Sequence, residues 1–204
     1  MFARTCYFCM MFLLLLPALA FFSQTAVSGE QFIRTPADYE GPFYPLNRQQ
    51  DEDNDLIHVS GQTEPTKGDI LYLSGEVVDT SGQPVENAIV EIWQTDSQGL
   101  YRDQRDRSPG ARDPNFQYWG KTQVKADGSF SFTTIVPGKY EPRPAHIHFK
   151  VWIEDKAVLT SQLYFSNHPQ EGGKDVPIRT PPQQTVGLEK TSSDAYETFF
   201  RIVL

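Results

Sequence analysis

His146 and His148, separated by one residue, give the most direct chemical signal in the sequence. In an extended strand alternate side chains leave from the same face. Ala145, Ile147, Phe149, Val151 and Ile153 then form one wholly apolar face, and the two imidazoles stand side by side on the other. Imidazole is the commonest metal ligand of proteins, and two of them on one strand face can reach a single ion. The same spacing also describes two solvent-facing histidines, so the motif alone is weak. Its context is stronger: the chain has only 4 histidines, and Arg143 and Pro144 directly precede this pair. Two imidazoles suit zinc, copper, nickel or iron.

The nearest further donor is a phenol. Tyr140 lies shortly before His146 in a segment stiffened by Pro142 and Pro144. A phenolate is a hard anionic oxygen that suits a hard ion such as Fe(III), whose charge favours loss of the phenol proton. Tyr101 follows an apolar run and a turn containing Gly99. Taken alone it reads first as an ordinary half-buried aromatic with its hydroxyl near water, and only second as a ligand.

These residues need a scaffold of strands. Ile70 to Val78 is rich in β-formers and stops at the turn signal Asp79-Thr80-Ser81-Gly82. Further strands are expected over Ala88 to Gln94, Gly120 to Val124, Ser129 to Val136, Ala145 to Ile153, Val158 to Phe165 and Phe199 to Leu204. Ala126-Asp127-Gly128 reads as a hairpin turn and Glu154-Asp155-Lys156 as a second tight reversal. No stretch of this core holds a helical period. The expectation is therefore an all-β fold, a single-domain β-sandwich of mostly antiparallel strands with long loops. Pro169 to Glu189, with Pro177, Pro181 and Pro182, reads as a long surface loop.

Ahead of the sandwich, residues 1–27 read as a cleaved export signal. Arg4 supplies the positive start, Cys6 to Phe22 the apolar run, and Ala18-Leu19-Ala20 or Ala26-Val27-Ser28 the cleavage site. The apolar run is short for a bilayer span of about 20 residues. Both cysteines, Cys6 and Cys9, fall inside it, so the mature protein is expected to be secreted or periplasmic and to hold together without disulfides or a membrane anchor. Residues 28–68 read as an N-terminal extended segment and loops, and 69–204 as the sandwich. Within the former, Glu40-Gly41-Pro42-Phe43-Tyr44-Pro45 is a rigid segment carrying two aromatics. Asp51-Glu52-Asp53-Asn54-Asp55 lacks the Gly and Glu offsets of a calcium loop and reads as a solvated loop. The net charge is −8, and no Lys/Arg cluster could follow a phosphate backbone, so nucleic acid is not an expected partner. The sequence leaves a homo-oligomer open.

Several stretches together resemble the intradiol ring-cleavage dioxygenases, the family of catechol and protocatechuate enzymes. They are Leu73 to Asp79, Gly82 to Val85, Ala88 to Gln94, Gly99-Leu100-Tyr101-Arg102, Asp113 to Phe116, Pro137 to Tyr140, Arg143 to Phe149 and Gln162-Leu163-Tyr164-Phe165. The resemblance implies that Tyr101, Tyr140, His146 and His148 ligate a non-haem Fe(III). It also implies that Tyr140 leaves the ion and takes up a substrate proton, that Arg143 stabilises charge on the substrate ring, and that Gln162 lies at the reaction site. The implied substrates are a catechol-type aromatic and O2, and the implied product is a muconate-type dicarboxylate. The match departs from the family in two ways. There is no room for the helical dimerisation segment of catechol enzymes, and the Tyr140-to-Arg143 connection is shorter than in protocatechuate enzymes. The Gly75 to Trp93 stretch also resembles carboxypeptidase-regulatory-like and transthyretin-like binding modules, an alternative that the Tyr140/His146/His148 group opposes. A cupin is disfavoured because no Glu follows the histidines before Glu154. His58 and His168 read as loop residues without a role. Phe130, Phe132, Tyr164, Phe165 and Trp152 read as core; Trp93 and Trp119 could line a pocket, although core is the first reading.

Overall fold

The computed structural model describes residues 31–47, 51–169 and 180–204. The expected export signal, with Cys6 and Cys9, lies outside the described residues. Among the described residues nine strands form two sheets: β1 (Ile70–Val78), β2 (Ala88–Trp93), β3 (Trp119–Gln123), β4 (Ser129–Ile135), β5 (His146–Ile153), β6 (Lys156–Phe165), β7 (Thr185–Val186), β8 (Glu189–Lys190) and β9 (Tyr196–Val203). One sheet runs β4-β1-β9-β8 and the other β3-β2-β5-β6-β7. Most neighbours are antiparallel; β1 with β9 and β6 with β7 are parallel. No α-helix occurs among the described residues. The sandwich expected from the sequence is the architecture found.

Alternation of side chains explains the layers. Leu71, Leu73 and Val77 of β1, Phe130 and Phe132 of β4, and Phe200 and Ile202 of β9 are buried on the inner face of the first sheet. Val90 and Ile92 of β2 with Ile147, Phe149 and Val151 of β5 face them from the second. The apolar face of β5 is thus turned inward, as its sequence dictates, and His146, His148 and Lys150 are carried on the outer face of that sheet. Cross-strand neighbours extend the same outer row: Trp93 opposite His148, Gln162 opposite His148 and Tyr164 opposite His146.

Two local expectations change. The Ala126-Asp127-Gly128 turn is as tight as a hairpin, with Gly128 N–H bonded to Lys125 O at 2.9 Å and Lys125 N–H to Ser129 O at 2.9 Å. Yet its flanking strands belong to different sheets, since β3 pairs with β2 and β4 with β1. A turn signal encodes reversal of the chain, not the identity of the partner strand. In the Pro169 to Glu189 stretch, residues 170–179 are outside the described residues. The rest is not plain loop: it holds a 3-10 turn (Pro182–Gln184), β7 and the start of β8. Two-residue strands are too short to show a period.

The N-terminal segment ties the sheets together and then crosses the histidine-bearing face. Thr35 N–H bonds Val203 O in the first sheet (3.0 Å), and Asp38 N–H bonds Thr160 O in the second (3.0 Å). Residues 38–45 continue as a strap over the outer face of β6, β5 and β2. Farther on, Leu56 is fully buried and is pinned by backbone bonds to Thr133 and Gln117. Ile147 is completely buried between the two histidines in sequence. Ile147→Ala is expected to lower stability by about 2–5 kcal/mol, read from denaturant unfolding, since it opens a void in the inter-sheet core.

Candidate metal centre

The site is built on β5. His146 Nε2 and His148 Nε2 stand 3.1 Å apart. The Tyr101 hydroxyl lies 3.0 Å from His148 Nε2 and 3.4 Å from His146 Nε2. All three side chains are buried. The tautomer of His146 follows from its neighbour: Nδ1 is 2.7 Å from the Pro144 carbonyl, which can only accept. Nδ1 therefore carries the proton and Nε2 offers a bare lone pair toward His148. Burial pulls the His146 pKa down to about 4, outweighing the opposing Pro144 hydrogen bond. Burial, with His146 and Arg143 beside it, holds His148 well below its ordinary value. Two neutral imidazoles thus aim nitrogens at one point. Burial also raises the Tyr101 phenol well above its usual range, with Arg143 opposing.

This donor set fits a metal ion. Three donors about 2.0–2.1 Å from one ion, at roughly tetrahedral to octahedral angles, stand about 2.9–3.4 Å from one another. The observed edges fall in that range. Among the described residues no group of three His, Cys, Asp or Glu could hold a metal; the third polar atom at this point is the Tyr101 hydroxyl. Phenol oxygen as a partner to two imidazoles favours a hard, highly charged ion.

Tyr140, the fourth expected ligand, packs edge-on against Tyr101 with ring centroids 5.5 Å apart and against Phe43 at 5.4 Å. It is half-exposed, unlike the other three. Arg143 and Gln162, the other expected site residues, are brought together: one Arg143 Nη2–H bonds Gln162 Oε1 at 2.6 Å and Nη2 also bonds Tyr164 Oη at 2.9 Å. Gln162 is completely buried and spends its amide N–H on the Tyr39 carbonyl of the strap. The positive charge of Arg143 bears on Tyr101, His146 and His148.

The supports were less visible in the sequence. Trp93 stacks on His148 at 4.8 Å and 6°; together with Phe43, Tyr101 and Trp119 it forms a second cluster apart from the inter-sheet core. Trp93 is therefore site wall, not sandwich filler. Tyr164 likewise belongs to the site, and burial with Asp38 beside it pushes its phenol up to about 12. His168 is buried and holds the Pro137 carbonyl at 2.8 Å, ahead of the Tyr140 loop. His58 stays exposed and contacts Asp55. Phe130, Phe132 and Phe165 are core as expected.

Tyr101 is fixed through its backbone. Its N–H bonds Asp106 Oδ2 (2.8 Å) and its carbonyl accepts from Arg112 Nε (3.1 Å), while Arg112 pairs with Asp106 at 3.1 Å. Upstream, buried Asp96 accepts the N–H groups of Gln98 and Leu100 and the Tyr118 hydroxyl. The loops bearing Tyr101 and Tyr140 meet backbone to backbone. A Cβ on Gly99 would lie 2.1 Å from Lys139 O, and one on Gly138 would lie 2.2 Å from Gly99 N.

The strap closes the face. Gly41, at φ +78°, sits so that a Cβ would lie 3.1 Å from His148 Cε1. Glu40 pairs with Lys150 at 2.7 Å, Lys150 Nζ lies 3.7 Å over the Tyr44 ring, and the Tyr44 hydroxyl donates to Glu91 at 2.9 Å. Arg105 donates to the Tyr44 carbonyl at 2.9 Å. A cavity of about 870 Å³ behind the Tyr101 loop, lined by Leu46, Arg102, Arg105 and Trp119, touches none of the four expected ligands. Gly138→Ala is expected to push the two tyrosine loops apart. The measurements are a loss of about 1–3 kcal/mol in unfolding free energy and an altered near-ultraviolet circular dichroism signal from the Phe43/Trp93/Tyr101 cluster.

Comparison with known proteins agrees with this geometry. Residues 39–204 match the family described as Dioxygenase. The protocatechuate 3,4-dioxygenase beta chain of Burkholderia cepacia is 33% identical over 140 residues, 65% of this chain and 60% of that protein. The hydroxyquinol 1,2-dioxygenase of Corynebacterium glutamicum is 30% identical over 174 residues, 78% of this chain and 56% of that protein. The chain therefore spans less than two thirds of these relatives. A solved dioxygenase domain, from a dioxygenase carbohydrate-binding fusion of Streptomyces sp. SirexAA-E, superposes with TM-score 0.65 at 30% identity, covering 84% of this chain and 98% of that one. With its sandwich, its paired histidines and these relatives, the chain belongs to the intradiol ring-cleavage dioxygenase family.

Proposed function

We propose that this chain is a non-haem Fe(III) dioxygenase that opens a catechol-type ring between its two hydroxyl-bearing carbons. Both atoms of O2 enter the product, so a catechol gives a muconate-type dicarboxylate with no other co-substrate. The observation that carries the reading is the buried triangle of Tyr101 Oη, His146 Nε2 and His148 Nε2, with edges of 3.0–3.4 Å. A carboxypeptidase-regulatory-like or transthyretin-like module accounts for the strands but not for three convergent buried donors.

In this reading Tyr101, Tyr140, His146 and His148 would hold the ion. Ferric iron bound there would supply Lewis acidity toward the two oxygens of the diol. The remaining work falls to side chains. Arg143 sets a fixed positive charge beside the ring, where it stabilises negative charge as it develops. Its guanidinium is held in place by Gln162 and Tyr164, so it needs no reorganisation during reaction. Tyr140, the half-exposed phenol, is the group assigned to take up a substrate proton. The strap and the aromatic cluster limit water around the reacting ring.

The deciding experiment incubates the iron-loaded protein with catechol, protocatechuate and hydroxyquinol under O2. At least one is expected to consume O2 and give a ring-opened dicarboxylate; inertness toward all three would defeat the reading. His148→Ala is expected to lose its bound iron on metal analysis, and retention would show the ligand set to be wrong. Arg143→Ala is expected to keep its iron but lower kcat by about 10²–10³-fold, measured by steady-state kinetics.

A further inference from the structure

The strap brings an acid to the edge of the site. Asp38 opens it, anchored by its own N–H to Thr160 O at 3.0 Å. One carboxylate oxygen, Oδ1, accepts the Tyr39 N–H at 2.6 Å. The other, Oδ2, stands 3.0 Å from the Tyr164 hydroxyl. Tyr164 is in turn 2.9 Å from Arg143 Nη2 and 2.7 Å from Gln162 Oε1. Arg143, Tyr164 and Asp38 thus form one wall, in which a cation and an anion are bridged by a single phenol. Two charges of opposite sign bear on His146 from this wall, Arg143 and Asp38.

The wall sets a cation and an anion side by side. A neutral diol meets a cation whose charge is locally balanced. A ring that carries its own carboxylate and lies against this wall would meet Asp38, half-buried beside the Tyr164 hydroxyl, as a like charge. It would also need a cation to receive it. Arg143 already spends Nη2 on Gln162 and Tyr164. Other cations nearby are matched to acids: Lys150 to Glu40, Arg105 to Asp103, Arg112 to Asp106 and Lys139 to Glu141.

We infer that Asp38 is a specificity-determining residue, which turns away catechols bearing a ring carboxylate and admits uncharged ones. The substrate class is then a neutral aromatic 1,2-diol: catechol itself or its alkyl and hydroxyl derivatives. This rests on the ring-cleavage reading above and narrows it. It also departs from the substrate named for the Burkholderia cepacia relative, so family membership alone does not supply it.

The test compares kcat/KM for catechol and protocatechuate in the iron-loaded wild type, Asp38→Asn and Asp38→Glu. It also measures binding of the non-reacting monophenols phenol and 4-hydroxybenzoate by calorimetry. Wild type is expected to favour catechol by about 10–100-fold, the size of a close like-charge contact. Asp38→Asn keeps an oxygen for the Tyr164 hydroxyl, and is expected to cut that ratio about tenfold and to tighten 4-hydroxybenzoate relative to phenol. Asp38→Glu is expected to retain the preference. A wild type that prefers protocatechuate overturns the inference. So do ratios in both assays that Asp38→Asn leaves unchanged. If Asp38→Asn does not fold, the wild-type and Asp38→Glu preferences decide on their own. Inertness of the wild type toward every diol instead overturns the ring-cleavage reading, and this inference with it.

Discussion

The constraint from which the rest of the structure follows is the crowding of three polar donor atoms in a dry space. Two imidazole nitrogens and a phenol oxygen lie within 3.4 Å of one another, and His148 Nδ1 has no hydrogen-bond partner. Buried polar groups held this way cost free energy unless something satisfies them. The fold nevertheless enforces the arrangement from every side. Strand alternation sets the two histidines, the Trp93 ring flattens one of them, Pro144 fixes the tautomer of the other, and Asp106 with Arg112 locks the Tyr101 backbone. With these three donors separately braced, the proposed site is preorganised for an ion rather than assembled by it.

How much of this can be seen in the sequence depends on the range of the interaction. The β5 strand and the direction of its histidines are legible because alternation is a local, two-residue property. The β1 boundaries are legible for the same reason, with Asp79 to Gly82 ending the strand. The position of Tyr101 at the site is not legible from its neighbours, because what brings it to His148 is an Asp96 cap and a Gly99–Gly138 backbone contact nearly forty residues apart. The resemblance to a known family finds it; the residues alone do not. Trp93 and Tyr164 look like core because an apolar ring reads the same in either layer. Asp38 gives no local signal at all: its meaning comes from a strap that returns across the sheet to a residue |i−j| = 126 away. The partner of β3 is hidden in the same way, since a tight turn is silent about which sheet the next strand joins.

The site lies on the outside of the sandwich, not within it. The inter-sheet core is largely apolar, with the buried Thr134–Gln94 hydrogen bond inside it, and supports β5 from beneath, while the chemistry is roofed by a segment with no regular secondary structure. This separates two demands on the sequence. Ile147, Phe149 and Val151 answer to packing density, and His146, His148 and Lys150 answer to geometry and charge, although the two sets interleave residue by residue. Variation in the strap can then alter what the site admits while the sandwich stays unchanged, which is where relatives with different substrates are free to diverge.

The parallel pairing of β1 with β9 carries a kinetic consequence. Glu76 and Arg201, bonded across these strands, are separated by |i−j| = 125, and β9 lies inside its sheet between β1 and β8. Closing so long a loop is entropically slow. The β5–β6 hairpin, by contrast, needs only the three-residue neighbourhood of Glu154 to form. The β5–β6 pairing is therefore local, while the pairings of β2 with β5 and of β1 with β9 are long-range. β9 follows β5 and β6 in the chain, so the β5–β6 hairpin can pair before β9 is available to cover the edge of β1.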